Sequence, residues 1–140
     1  MVSHKHPGGW LFKEEPEQYR FEDLIRDGET VWDGVNNNLA LKNLRAVQPG
    51  DAVLFYSTGK IKAVIGEMRV TAVSLDDPKR PVITVQPVRR WPRPVTLAEV
   101  KSDPDLAGWD LVRNSRLSVM RVDPKQWQRL AAMSQAAPST

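Results

Sequence analysis

Two β-rich runs, "DAVLFYST" at 51–58 and "KAVIGEMRVTAV" at 62–73, flank a turn at Gly59-Lys60, and this join constrains the chain more than any other feature. Two β-rich runs on either side of a glycine turn signal an antiparallel hairpin. A third run, "PVITVQPVRRWPRPV" at 81–95, carries prolines that suit a barrel rim or a sheet edge. A shorter strand is expected at "WLFK" (10–13), another ending at Val31-Trp32, and a last one at "RLSVMRV" (116–122). Helical signals lie outside this strand-rich middle. "FEDLIRDG" ends in Gly28, "NLALKNLRAV" spaces Leu39, Ala40, Leu44 and Val47 helically before "QPGD" stops it, and "TLAEVKSD" opens with a Thr96/Glu99 capping box. "DPKQWQRLAAM" begins with Asp123 as cap and Pro124 at the first helical position. Strands in the middle with helices at both ends predict an α+β domain built around a small, partly closed β-barrel.

A chain of 140 residues is long enough to bury roughly two-thirds of the surface it exposes when unfolded, so one core is expected without a stapling metal or disulfide. Its ends, 1–9 and 135–140, are small, polar and Pro/Gly-bearing, and they read as disordered tails around a domain at 10–134. Cysteine is absent, which removes thiol catalysis, iron–sulfur clusters, cysteine zinc sites and disulfides together. The two histidines, His4 and His6, both fall in the leading tail, so the folded part is expected to hold neither the commonest general base nor a metal-ligand set. No cofactor and no metal are expected. "MVSHKHPGG" lacks the apolar core of a signal peptide, and no stretch approaches the ~20 apolar residues of a membrane span. A cytoplasmic monomer with no membrane partner is the expectation.

Charge narrows the class of partner. The net charge of +3 is modest, but Lys79, Arg80, Arg89, Arg90 and Arg93 crowd the centre, followed by Arg113, Arg116 and Arg121, while acids gather in "KEEPEQYRFED". A basic face suited to polyanions is expected, set against the plainer alternative of a mixed, solvated surface. "STGK" at 57–60 lacks the upstream glycine and the following hydroxyl of a phosphate loop, so a hairpin turn is its reading.

The stretch "VWDGVNNNLALKNLR" (31–45) sets a tryptophan and an acid on a glycine turn, then three asparagines, then a helix. Such a turn places an indole face beside amides, the makeup of a pocket for a flat, hydrogen-bonding ligand. The alternative is that Asn36 and Asn37 only satisfy turn backbone.

Seven segments in order, "WLFKEEP", "WDGV", "NLR", "PGDAVLFYS", "VIGEMRV", "RPVTLAEVK" and "LVRNSRLSV", resemble an EVE domain over 10 to about 134. The resemblance implies a PUA-like barrel of about five to six mostly antiparallel strands flanked by short helices. It also implies a binding module for modified bases in DNA or RNA, related to the YTH readers of methyladenosine, and no catalysis. By that similarity Trp32 would be the stacking platform, with Asp33, Asn36 and Asn37 reading the base edge. Trp10, Tyr56 and, behind them, Phe12 are candidate second walls, Ser57 and Ser115 candidate hydrogen-bonders, and Lys13 and Arg113 candidate phosphate contacts at the rim. Trp91, Trp109 and Trp127 are assigned to packing. Many members read WDGVRNYQAR. Here Asn36, Asn38 and Leu41 replace arginine, tyrosine and arginine, and Ser57 stands where a histidine often follows the Phe-Tyr pair.

The expected function is recognition of methylated or hydroxymethylated cytosine, or methylated adenine, within a nucleic acid. A sensor of a free nucleotide or other small molecule using the same pocket is the first alternative. A hydrolase acting through Asp33 or Glu14 is the second, and it requires two carboxylates facing one cleft.

Overall fold

The computed structural model describes residues 6–32, 35 and 37–135. Six strands form one sheet: β1 (Gly9–Glu14), β2 (Thr30–Trp32), β3 (Ala52–Ser57), β4 (Ala63–Ser74), β5 (Val82–Thr96) and β6 (Val119–Val122), in spatial order β2-β5-β4-β3-β1-β6. Four of the five pairings are antiparallel, and β1 lies parallel to β3. The sheet curls into a half-barrel because its long strands are bulged. The register slips between Phe55 and Tyr56 on β3 and three times along the β4–β5 ladder, and each extra residue bends and twists its strand. Gly66 lies at one slip, where a Cβ would stand 2.7 Å from both the Arg89 carbonyl oxygen and the Phe21 ring.

Five helices close the barrel: α1 (Phe21–Asp27), α2 (Asn38–Ala46), α3 (Leu97–Ser102), α4 (Asp110–Arg113) and α5 (Pro124–Gln135). Their ends follow the expected chemistry. Gly28 takes the left-handed conformation (φ 76°) and returns its N–H to Leu24, and Thr96 and Glu99 make both halves of a capping box. Asp123 caps α5 by accepting from the Gln126 N–H at 2.7 Å, and Gln126 accepts from the Asp123 N–H at 2.9 Å, which completes a second box. The single turn α4 has no counterpart in the sequence reading, being too short for periodicity to register.

The core covers both faces of the central strands, since the neighbours Leu11 and Phe12, and Leu54 and Phe55, are all buried. Leu11, Phe12, Leu54, Phe55, Met68, Ile83 and Met120 fill it, with Phe21 of α1 edge-on to Phe55 at 5.4 Å. Trp91, Trp109 and Trp127 are buried, as the sequence predicts. Leu39 is not part of this packing; it is 43% exposed while Ala40 and Leu44 carry the buried face of α2. The histidine expectation also needs correction. His6 stacks on Trp127, centroids 4.0 Å apart and planes 4° from parallel, so it joins the folded region instead of trailing in a tail, and β1 begins at Gly9. No helix among the described residues is long and apolar enough to cross a membrane.

Candidate functional site

Because β1 and β3 run parallel, both end at the same edge of the sheet, where Glu14 sits opposite Ser57. Thr58 then ties the edge together, its N–H and its hydroxyl both donating to the Glu14 carbonyl oxygen at 2.9 and 3.3 Å. The Lys13 N–H donates to the Ser118 carbonyl at 2.9 Å, which draws the segment before β6 alongside. These bonds leave a cleft of about 560 Å³. Its floor is Trp32, at the end of β2, with Val35. Lys13, Glu14, Glu15 and Gln18 line one wall, and Thr58, Ser115, Arg116 and Ser118 complete it. Two other clefts, of about 640 and 730 Å³, are lined by no aromatic residue.

Trp32 is 5% exposed, with Phe12 tilted against its ring at 5.5 Å and Phe55 edge-on at 5.8 Å. The indole is thus held by the core and presents only a margin to the cleft. Lys13 reaches across to donate to the Ser115 carbonyl at 3.2 Å, and loss of hydration lowers its pKa from the ordinary lysine value. Glu14 is shifted the other way. Burial raises its carboxyl above the usual glutamate value, opposed by the Glu15 N–H, which donates to Oε1 at 3.0 Å.

The structure brings Lys13, Trp32 and Ser115 to one cleft, Trp32 by the margin of its ring and not by the open stacking face that the sequence reading gives it. It sends five other candidates elsewhere. Trp10 is 4% exposed, donates its indole N–H to Asp51 at 2.9 Å and lies under Arg121, three residues back along β1 from Lys13. Tyr56 is buried behind Lys13, whose ammonium lies 5.7 Å from the ring centroid, and burial pushes its hydroxyl up to about 12. Ser57 is 7% exposed and turned inward, so the next residue, Thr58, meets the cleft instead. Arg113 belongs to α4 and lies outside the lining, where Arg116 stands. Asn37 caps α2, its side-chain oxygen accepting from the Ala40 N–H at 3.0 Å, the plain turn role. Asp33 and Asn36 lie outside the described residues.

The sequence reading missed Gln18, Val35, Thr58 and Ser118, and it weighed the acids Glu14 and Glu15 only for hydrolysis. A signal existed in "KEEPEQ", which directly continues β1, but only the parallel β1–β3 pairing shows that this edge is the cleft. The expectation of one basic face is corrected as well. Arg89 pairs with Glu67 at 3.0 Å, Arg90 with Glu22 at 2.8 Å and Arg93 with Glu99 at 2.7 Å, so acids of other elements neutralise much of the central cluster.

Comparison with known proteins places this geometry. The model of the EVE domain matches residues 9–133. Thymocyte nuclear protein 1 of Rattus norvegicus is 27% identical over 169 aligned positions, spanning 93% of this chain and 75% of that protein. Human THYN1, solved in complex with 5-methylcytosine-containing DNA, superposes with a TM-score of 0.85 at 26% identity over 94% of this chain and 99% of that one. A crystal structure from Pseudomonas putida gives a TM-score of 0.82 at 34% identity, covering 89% and 98%. A match that runs from Gly9 into α5 covers nearly the whole length, and the chain belongs to the EVE domain family, with the family's PUA-like fold.

Proposed function

We propose that this protein is a non-catalytic module that recognises a modified nucleobase, methylated or hydroxymethylated cytosine or methylated adenine, in DNA or RNA. The observation that carries the reading is its likeness, over 94% of its length, to a human protein solved on 5-methylcytosine-containing DNA. The cleft supports it. A base turned out of its stack needs an apolar surface, polar groups along its edge and cations near its phosphates. Trp32 with Val35, the Thr58–Ser115–Gln18 set, and Lys13 with Arg116 supply these three. The test is a binding screen with matched oligonucleotides, single- and double-stranded, bearing each modification or none. Tighter binding to one modified member, weakening as salt is added, is expected. Equal affinity for all members counts against the reading.

One observation favours a second reading. Glu14 and Glu15 line the same cleft, and Glu14 is shifted upward, so the two-carboxylate condition for a hydrolase is met. Incubation of the protein with modified oligonucleotide, with and without magnesium or zinc, decides the matter by mass. Unchanged substrate supports the binder, and a cleaved strand or released base that disappears in Glu14→Gln supports the enzyme.

A further inference from the structure

Among the polar groups of the cleft, one kind favours an amine over a carbonyl. The hydroxyls of Thr58, Ser115 and Ser118 and the amide of Gln18 both donate and accept, so each satisfies either partner. Lys13 and Arg116 donate only, and Lys13 is committed to the Ser115 carbonyl. A carboxylate accepts only. Of the two carboxylates present, Glu15 is exposed, whereas Glu14 is partly buried at the end of β1.

Glu14 is also held in place. Its carbonyl is fixed by both donors of Thr58, its neighbour Lys13 by Ser118, and its Oε1 by the Glu15 N–H. No ion pair joins it to Lys13 or Arg116 among the described residues, although both line the same cleft. Oε2 therefore remains an acceptor that no cation has claimed. Its raised carboxyl pKa reports poor access to water, the condition under which a charge-assisted hydrogen bond gains most over solvation.

We infer that Glu14 determines specificity by accepting an N–H from the exocyclic amine of the bound base, so that the ligand class is an amino-bearing nucleobase and its keto counterpart is rejected. This rests on the modified-base reading. 5-Methylcytosine and thymine share ring, shape and methyl group and differ at position 4, amine against carbonyl. Apolar contact cannot separate them. An acceptor-only group can, by attraction to one and repulsion from the other.

The test uses the full chain and duplexes of one sequence carrying 5-methylcytosine, cytosine or thymine at a single position, read by fluorescence polarisation. Wild type should prefer 5-methylcytosine to thymine by roughly tenfold or more, the range for one good base-edge contact. In Glu14→Gln, whose amide can donate to the thymine carbonyl, that ratio should fall toward one, with the preference for 5-methylcytosine over cytosine retained. A second measurement needs no variant. N4,N4-Dimethyl-5-methylcytosine keeps ring and methyl but has no N–H at position 4, and wild type should bind it roughly tenfold more weakly. An unchanged ratio in a folded Glu14→Gln, or equal affinity for the dimethylated base, overturns the role of Glu14 and leaves the modified-base reading standing. Absence of any preference among modified and unmodified oligonucleotides in wild type overturns both.

Discussion

Along β5, Arg89 and Arg90 each meet a glutamate from another element, and Arg93 grips both carboxylate oxygens of Glu99 at 2.9 and 2.7 Å. At the cleft, Arg116 forms no ion pair among the described residues, and Lys13 holds only a carbonyl. The indoles divide in the same way. Those of Trp10, Trp91 and Trp109 donate to Asp51, Glu67 and the Arg121 carbonyl and lie outside the cleft, while Trp32 adds the margin of its ring to the cleft wall. Charge counted along a sequence therefore misleads about binding. A cation matched by an acid from a distant strand is structural, and the spare ones decide where a phosphate can settle.

If this division is right, the largest effect belongs to the residue that serves both regions. Trp32→Ala should destabilise the fold by about 3–5 kcal/mol, because the ring packs against Phe12 and Phe55. Chemical denaturation measures it, and a loss under about 1 kcal/mol would move the ring out of the core and into the binding surface alone. Next, Glu67→Ala removes the acceptor of the Trp91 indole, bonded at 2.7 Å, and the partner of Arg89. Leaving that buried N–H unsatisfied should cost about 1–3 kcal/mol, with oligonucleotide affinity unchanged. Altered affinity would show that the paired region also binds.

Acid offers a finer test. The Arg93 guanidinium and the Thr96 donors hold Glu99 at about 2, well under its ordinary 4.5. A depressed carboxylate stabilises the fold above its unfolded value, so this contribution is full at neutral pH and is lost as pH falls from about 4.5 toward about 2. Glu99→Gln should remove up to about 1 kcal/mol at neutral pH, the pair being partly solvated, and should flatten stability in that window. A persistent slope would assign the acid sensitivity to other carboxylates. The smallest effect on stability should come from Arg116→Ala, within about 0.5 kcal/mol. The same change should reduce the slope of log affinity against log salt by about one, as for one lost phosphate contact. A marked fall in stability would place Arg116 among the structural cations.

What the sequence discloses is local. Gly28, the Thr96/Glu99 box and Asp123-Pro124 are visible because a cap needs only its own turn, and the Gly59-Lys60 hairpin because its strands are adjacent in the chain. The half-barrel is accessible through a family resemblance carried by many short segments. The wall of the cleft is not, because it depends on pairing between distant strands. Ser57 and Thr58 differ by one position, and in a strand one position is the difference between core and surface. Trp10 shares the strand of Lys13, but three residues at roughly 3.3 Å each carry it away from the edge and within reach of Asp51.

The parallel seat of β1 between β3 and β6 bears on how the molecule is born. Its neighbours arrive late in synthesis, since Trp10 pairs with Val53 on one side and Arg121 on the other. Until then "GWLF" is an apolar strand with open edges, the sort of segment that seeks other chains. Closure of so distant a contact makes for slow folding. A nascent chain stopped before Val119 has no partner for the outer edge of β1, so the strand that carries Lys13 and Glu14 keeps that edge open until β6 arrives.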